Sequence, residues 1–177
     1  MKPEQIRKLT FSALYLAIAI VLPFLTGQIP EIGAMLCPMH IPVLLCGFVC
    51  GWQWGLAVGF IAPLLRSVMF GMPPMFPIGV AMAFELAAYG AVSGILYKLL
   101  PKKNVYIYVS LIGAMVLGRV VWGAVRFAIA GLTASEFPFS AFIAGAITTA
   151  IPGIILHIVL IPLLVMVHKK AKLVLNN

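Results

Sequence analysis

Apolar residues in this chain fall in long, nearly unbroken blocks, not in the alternation of a half-buried strand or the one-sided stripe of a surface helix. The first block spans about Leu9 to Leu25. It stops at Thr26 to Pro38, where Gly27, Pro30, Gly33 and the acidic Glu31 read as a loop. Met39 to Phe70 is too long for one membrane crossing and a little short for two ordinary ones. Its centre, Gly51-Trp52-Gln53-Trp54-Gly55, has the makings of a tight interfacial turn, which divides it into two short helices. After the proline-rich loop Gly71-Met72-Pro73-Pro74-Met75-Phe76-Pro77, helices are predicted over about Ile78 to Leu100, Val105 to Ala130 and Phe139 to Val167. The last two are joined by a loop, Gly131 to Pro138, that carries Glu136.

A hydrocarbon core roughly 30 Å thick takes about 20 helical residues per crossing and leaves no backbone group unpaired. The blocks therefore predict an all-α integral membrane protein of six transmembrane helices, with residues 1–177 as a single membrane-embedded domain. Composition agrees: 63% hydrophobic and 9% charged residues cannot clothe a domain in water. The first segment is read as a retained helix, because no small-residue Ala-x-Ala site follows it before Glu31. No GxxxxGK[ST] phosphate loop occurs, so any ATP-driven work belongs to partners.

The net charge of +8 changes the picture only through its distribution. Lys2, Arg7 and Lys8 precede the first block; Lys98, Lys102 and Lys103 lie mid-chain; Lys169, Lys170 and Lys172 follow the last. These clusters act as topology signals and not as a nucleic-acid footprint. They put both termini on the cytoplasmic side, with the other loops free of Lys and Arg.

The remaining cations, Arg66, Arg119 and Arg126, fall inside predicted helices, as does Glu85. A charge at membrane depth is costly, so each needs a partner, a cavity or a function. Arg119 and Arg126, seven residues apart with Trp122 between them, are expected to form one cationic and aromatic wall. Glu85 either ties two helices together through one of these arginines or meets a ligand. Three arginines against one carboxylate leave a surplus of positive charge. A bound anion from outside would balance it, and the arginine fork suits a carboxylate.

His40 is a candidate pocket residue, whereas His157 reads as core. Met69, Met72, Met75 and Met82 surround the proline-rich loop as adaptable lining or as ordinary apolar filling. Gly47, Gly51, Gly55 and Gly59 recur at every fourth position, as do Ala13 and Ala17, and such spacing lets helices approach closely. The three cysteines have no metal or redox spacing. With no HExxH and no Ser/His/Asp set, neither an enzyme nor a cofactor or metal site is expected.

Several stretches carry a family resemblance. Pro38-Met39-His40-Ile41-Pro42-Val43-Leu44-Leu45-Cys46-Gly47-Phe48, Gly71 to Pro77, and Ala83-Phe84-Glu85-Leu86-Ala87-Ala88-Tyr89-Gly90 resemble the S components of energy-coupling factor (ECF) vitamin transporters, in particular the pantothenate-type branch. The resemblance implies a prokaryotic substrate-capture subunit that binds a vitamin near the outer face, beneath lids that correspond to Thr26 to Pro38 and Gly71 to Pro77. It also implies a membrane coupling subunit and two cytoplasmic ATPases as partners, with Ala13 and Ala17 matching the AxxxA contact for the coupling subunit. Arg119, Trp122, Arg126, Glu85, Arg66 and His40 then form the candidate binding set, with pantothenate favoured. Riboflavin, biotin and a stand-alone secondary carrier remain the alternative readings.

Overall fold

The computed structural model describes residues 3–26 and 29–176. Lys2 and Gly27, read above as a basic flank and a turn residue, lie outside them. Eight α-helices carry the described chain: α1 (Pro3–Val21), α2 (Pro30–Leu36), α3 (His40–Cys50), α4 (Trp52–Phe70), α5 (Val80–Leu99), α6 (Asn104–Thr133), α7 (Phe139–Ile143) and α8 (Ile151–Lys170). Merged across their short breaks, they give six segments long and apolar enough to cross a membrane.

Each break has a local cause. Pro23 lacks the N–H that would continue α1, and the chain tightens into a 3₁₀ turn over Leu22–Thr26. The stretch expected to be a loop after helix one is instead largely α2: Pro30 occupies its first turn, where its missing donor costs nothing, and Glu31 lies at the positive end of the helix dipole. α2 ends at Cys37, in the left-handed region at φ 47°, and α3 restarts at His40. The second segment thus runs Pro30–Cys50, 21 residues, and is not the short helix expected from Met39 onward. The turn expected over Gly51 to Gly55 contracts to Gly51 alone, whose φ of 103° suits only glycine; Trp52 to Gly55 are already the first turn of α4.

Helix six, expected to be continuous, is broken. A π-turn over Ala144–Thr148 separates α7 from α8, next to Pro152, which cannot donate to the preceding turn. α6 is close to expectation but longer, at 30 residues.

α3 is the centre of the bundle, buried at all eleven positions and enclosed by α1, α4, α5 and α8. α4 and α5 approach most closely through glycine. A methyl group added at Gly55 would sit 2.5 Å from the Gly90 carbonyl oxygen, and one added at Gly59 would meet the Leu86 carbonyl. Gly47, Gly55 and Gly59 therefore pack inside the chain. Ala13 and Ala17 do not: both lie on the exposed face of α1, away from its buried Ser12, Tyr15 and Ala19.

The described basic clusters converge on one end of the bundle. Lys8 and Lys98 line a cleft there with Trp52 and Asn176, and Lys169 Nζ donates to the Lys102 carbonyl at 2.6 Å. α3 runs from this end at Cys50 to the opposite end at His40.

Candidate functional site

At the end opposite the lysines, the helix breaks open a cavity of about 370 Å³, within the roughly 300–1,000 Å³ usual for small-molecule sites. The breaks at this end of the bundle form its wall. Pro23 and Thr26 come from the end of segment one, Pro30 and Gly33 from α2, and Cys37 to His40 from the junction of α2 and α3. Met72, Pro73 and Pro74 come from the proline-rich loop, and Gly145 and Thr149 from the break before α8. Irregular backbone is tolerated at membrane depth where it lines a cavity, and here it is gathered around one.

Six polar side chains stand out in this mostly apolar lining: Thr26, His40, Arg66, Glu85, Arg119 and Thr149. Glu85 Oε1 accepts a hydrogen bond from Arg119 Nη1 at 2.8 Å and lies 3.4 Å from His40 Nε2, close enough for an ion pair but not aligned as a hydrogen bond. Arg119 Nη2 donates weakly to Cys37 Sγ at 3.6 Å. His40, the candidate pocket residue, is buried; its ring stacks on His157 at 5.9 Å and meets Tyr89 edge-on at 4.9 Å. His157 is core, as expected, and serves as the backing of a lining residue.

This cluster is under-satisfied. His40 Nδ1 and Nε2, Arg119 Nε and His157 Nε2 are buried without a hydrogen-bond partner among the described residues. Each such group costs about 1–3 kcal/mol, and natural structures keep very few of them. Four such atoms gather in one cluster beside the cavity.

Arg66 forms a separate polar station. It is 2% exposed, donates from Nη1 to the Ile20 carbonyl at 2.6 Å, and lies over the rings of Phe24 and Phe70 at 4.9 and 5.4 Å. Among the described residues it makes no ion pair.

The expected wall of Arg119, Trp122 and Arg126 divides. Arg119 and Trp122 line the cavity, but Arg126 does not: its guanidinium lies 4.6 Å from the centre of the Phe137 ring. Phe137, in the loop after α6, folds back onto this face and also meets Trp122 edge-on, an attraction that helical spacing alone does not reveal. Of the four methionines, Met72 and Met82 line the cavity; Met69 and Met75 do not. Sequence reasoning missed Cys37 and Thr149, since a lone cysteine and a threonine in an apolar run carry no signal until the backbone breaks beside them. Among the described residues no group of His, Cys, Asp and Glu is arranged to hold a metal ion.

The family model for the ECF transporter, substrate-specific component, matches residues 7–165. Comparison with curated proteins gives no match, and comparison with solved structures gives none either. The matched span takes in every side chain of the cavity and five of the six segments from near their starts to their ends, with most of the sixth. This six-segment membrane protein therefore belongs to the ECF transporter substrate-specific component family.

Proposed function

We propose that this chain is the substrate-capture subunit of an ATP-driven importer and that its ligand is a carboxylate-bearing vitamin or precursor, with pantothenate the first choice. The observation that carries this reading is the charge of the cavity: two guanidinium groups, Arg66 and Arg119, face it against the single carboxylate of Glu85. One anion brought in by a ligand balances the set. A buried cation without a counter-charge is costly, so the site gains most from a ligand that is itself negative. Riboflavin, which is neutral, leaves the surplus in place.

The apolar remainder of the wall suits the rest of pantothenate. Trp122, Met72 and Met82 offer surface for its gem-dimethyl group, and the Glu85, His40 and Arg119 cluster offers partners for hydroxyl and amide groups. The gathering of basic residues at the far end supports a cytoplasmic position for both termini and an outward-facing cavity. Delivery then requires a membrane coupling subunit and two cytoplasmic ATPases, with the exposed Ala13 and Ala17 of α1 as the contact for the coupling subunit.

The test is a titration of the purified protein with labelled pantothenate beside thermal stabilisation by a vitamin panel, because a ligand that binds only the folded state raises its stability. Stabilisation by pantothenate and not by riboflavin supports the assignment. Stabilisation by biotin alone moves it to another acid, and retention of uptake without ATP replaces the importer by a secondary carrier.

A further inference from the structure

The two cavity arginines are not equivalent, and the difference orients the ligand. Arg119 already has a carboxylate: Glu85 Oε1 is 2.8 Å from its Nη1, and a second guanidinium nitrogen is turned to Cys37 Sγ. Its charge is met inside the protein. Arg66 has none. One backbone carbonyl, that of Ile20, and the faces of two aromatic rings hold its guanidinium. Those contacts fix its position and leave its charge unmatched by any carboxylate among the described residues. Snorkelling does not relieve it, since the residue is only 2% exposed.

At the other polar station the unmet need is different. His40 Nδ1, His40 Nε2 and Arg119 Nε lack hydrogen-bond partners, while the ionic pair beside them is complete. Such a group takes neutral hydroxyl or amide functions. A second anion there would have to displace Glu85 from Arg119.

We propose that Arg66, not Arg119, anchors the ligand's carboxylate, and that the His40, Glu85 and Arg119 cluster receives its neutral polar end. This rests on the reading of the cavity as the site for an acidic vitamin, and deepens it by giving the ligand a direction. The carboxylate lies beside α4 and the end of segment one, against Arg66 in its Phe24 and Phe70 clamp. The hydroxyl-bearing end lies between α3, α5 and α6. Arg66 is thus the residue that distinguishes an acid from its neutral analogue. Arg119 sets affinity for both.

The experiment pairs two ligands with two substitutions. Binding of pantothenate and of its neutral alcohol counterpart, in which the carboxylate is replaced by a primary alcohol, is measured by calorimetry on wild type, Arg66→Gln and Arg119→Gln. Charge-assisted hydrogen bonds carry about a 10- to 100-fold effect on affinity, so Arg66→Gln is expected to lose about that much for pantothenate and less than about threefold for the alcohol. Arg119→Gln is expected to weaken both ligands alike. Arg66→Lys, which keeps the charge and loses the fork, falls in between and serves if Arg66→Gln does not fold. If Arg119→Gln erases the preference for the acid while Arg66→Gln and Arg66→Lys retain it, the anchor is Arg119 and the proposal is overturned. If wild type binds neither pantothenate nor any other acid in the vitamin panel, the anchor is overturned together with the reading of the cavity, a result distinct from tight binding that ignores Arg66.

Discussion

Glu85 and Arg119 stand 34 positions apart and meet at 2.8 Å, joining α5 to α6 at the wall of the cavity. Glu85 is 1% exposed, so neither water nor lipid headgroups share the pairing on its side. Among the described residues Glu85 is the one carboxylate lining the cavity, so its pairing with Arg119 leaves Arg66 without a counter-charge.

Removing one partner of a buried pair leaves the other charged and alone. Glu85→Ala is expected to lower stability by about 3–5 kcal/mol, and Glu85→Gln by less because an acceptor remains for Arg119. Reversible unfolding in mixed micelles measures both; wild-type stability in Glu85→Ala would show that the Arg119 charge finds water by another route.

The α4 and α5 contact predicts opposite signs for two glycine substitutions. At Gly55 a methyl group would lie 2.5 Å from the Gly90 carbonyl, backbone against backbone, so Gly55→Ala should cost about 1–3 kcal/mol or more. At Gly131, on α6, nothing lies within 4 Å, and Gly131→Ala should stabilise the helix by about 0.5–1 kcal/mol. The same unfolding assay reads both, and equal effects would remove the packing argument.

The chain's final residues close the basic end of the bundle. Asn176 Nδ2 donates to the Gly94 carbonyl at 2.9 Å and to the Gly47 carbonyl at 3.3 Å, and Leu175 N donates to the Val49 carbonyl at 2.7 Å. The Gly47 carbonyl also accepts from Gly51 N at 3.2 Å and Gly94 lies within α5, so the Asn176 amide adds bonds that tie α3 to α5, while Val49 lies in the last turn of α3, whose carbonyls lack helical partners. Asn176→Ala is expected to cost about 1–3 kcal/mol and to speed amide exchange around Gly51, while ligand affinity stays unchanged because His40 lies about 15 Å along α3 from Cys50. A loss of affinity without a loss of stability would contradict this division of the molecule.

Ala13 and Ala17 face outward, so enlarging them should leave the fold alone. Ala13→Leu together with Ala17→Leu is expected to keep thermal stability and vitamin binding and to abolish co-purification with the coupling subunit and ATPases. Intact co-purification would move the contact to another face.

Much of this site was legible in the residues because charge in an apolar block is conspicuous. Arg66, Glu85, Arg119 and His40 needed no contacts to be noticed, since each is expensive where the hydropathy puts it. Their division of labour was not legible. Helical spacing put Arg119 and Arg126 on one wall, yet Phe137, in the following loop, draws Arg126 away, and nothing in the spacing shows that Phe24 and Phe70 enclose Arg66.

Local chemistry determined the six apolar segments, the basic flanks and the surplus of buried cation, because hydropathy, length and charge are properties each stretch carries alone. Only the tertiary structure decided that Pro30 to Leu36 is helical, that helix six breaks before Pro152, and that these breaks surround one cavity. Proline and glycine say where a helical hydrogen-bond ladder is weak. Whether the chain starts, kinks or loops there depends on what packs against the freed backbone groups, and that is set by helices far away in the sequence.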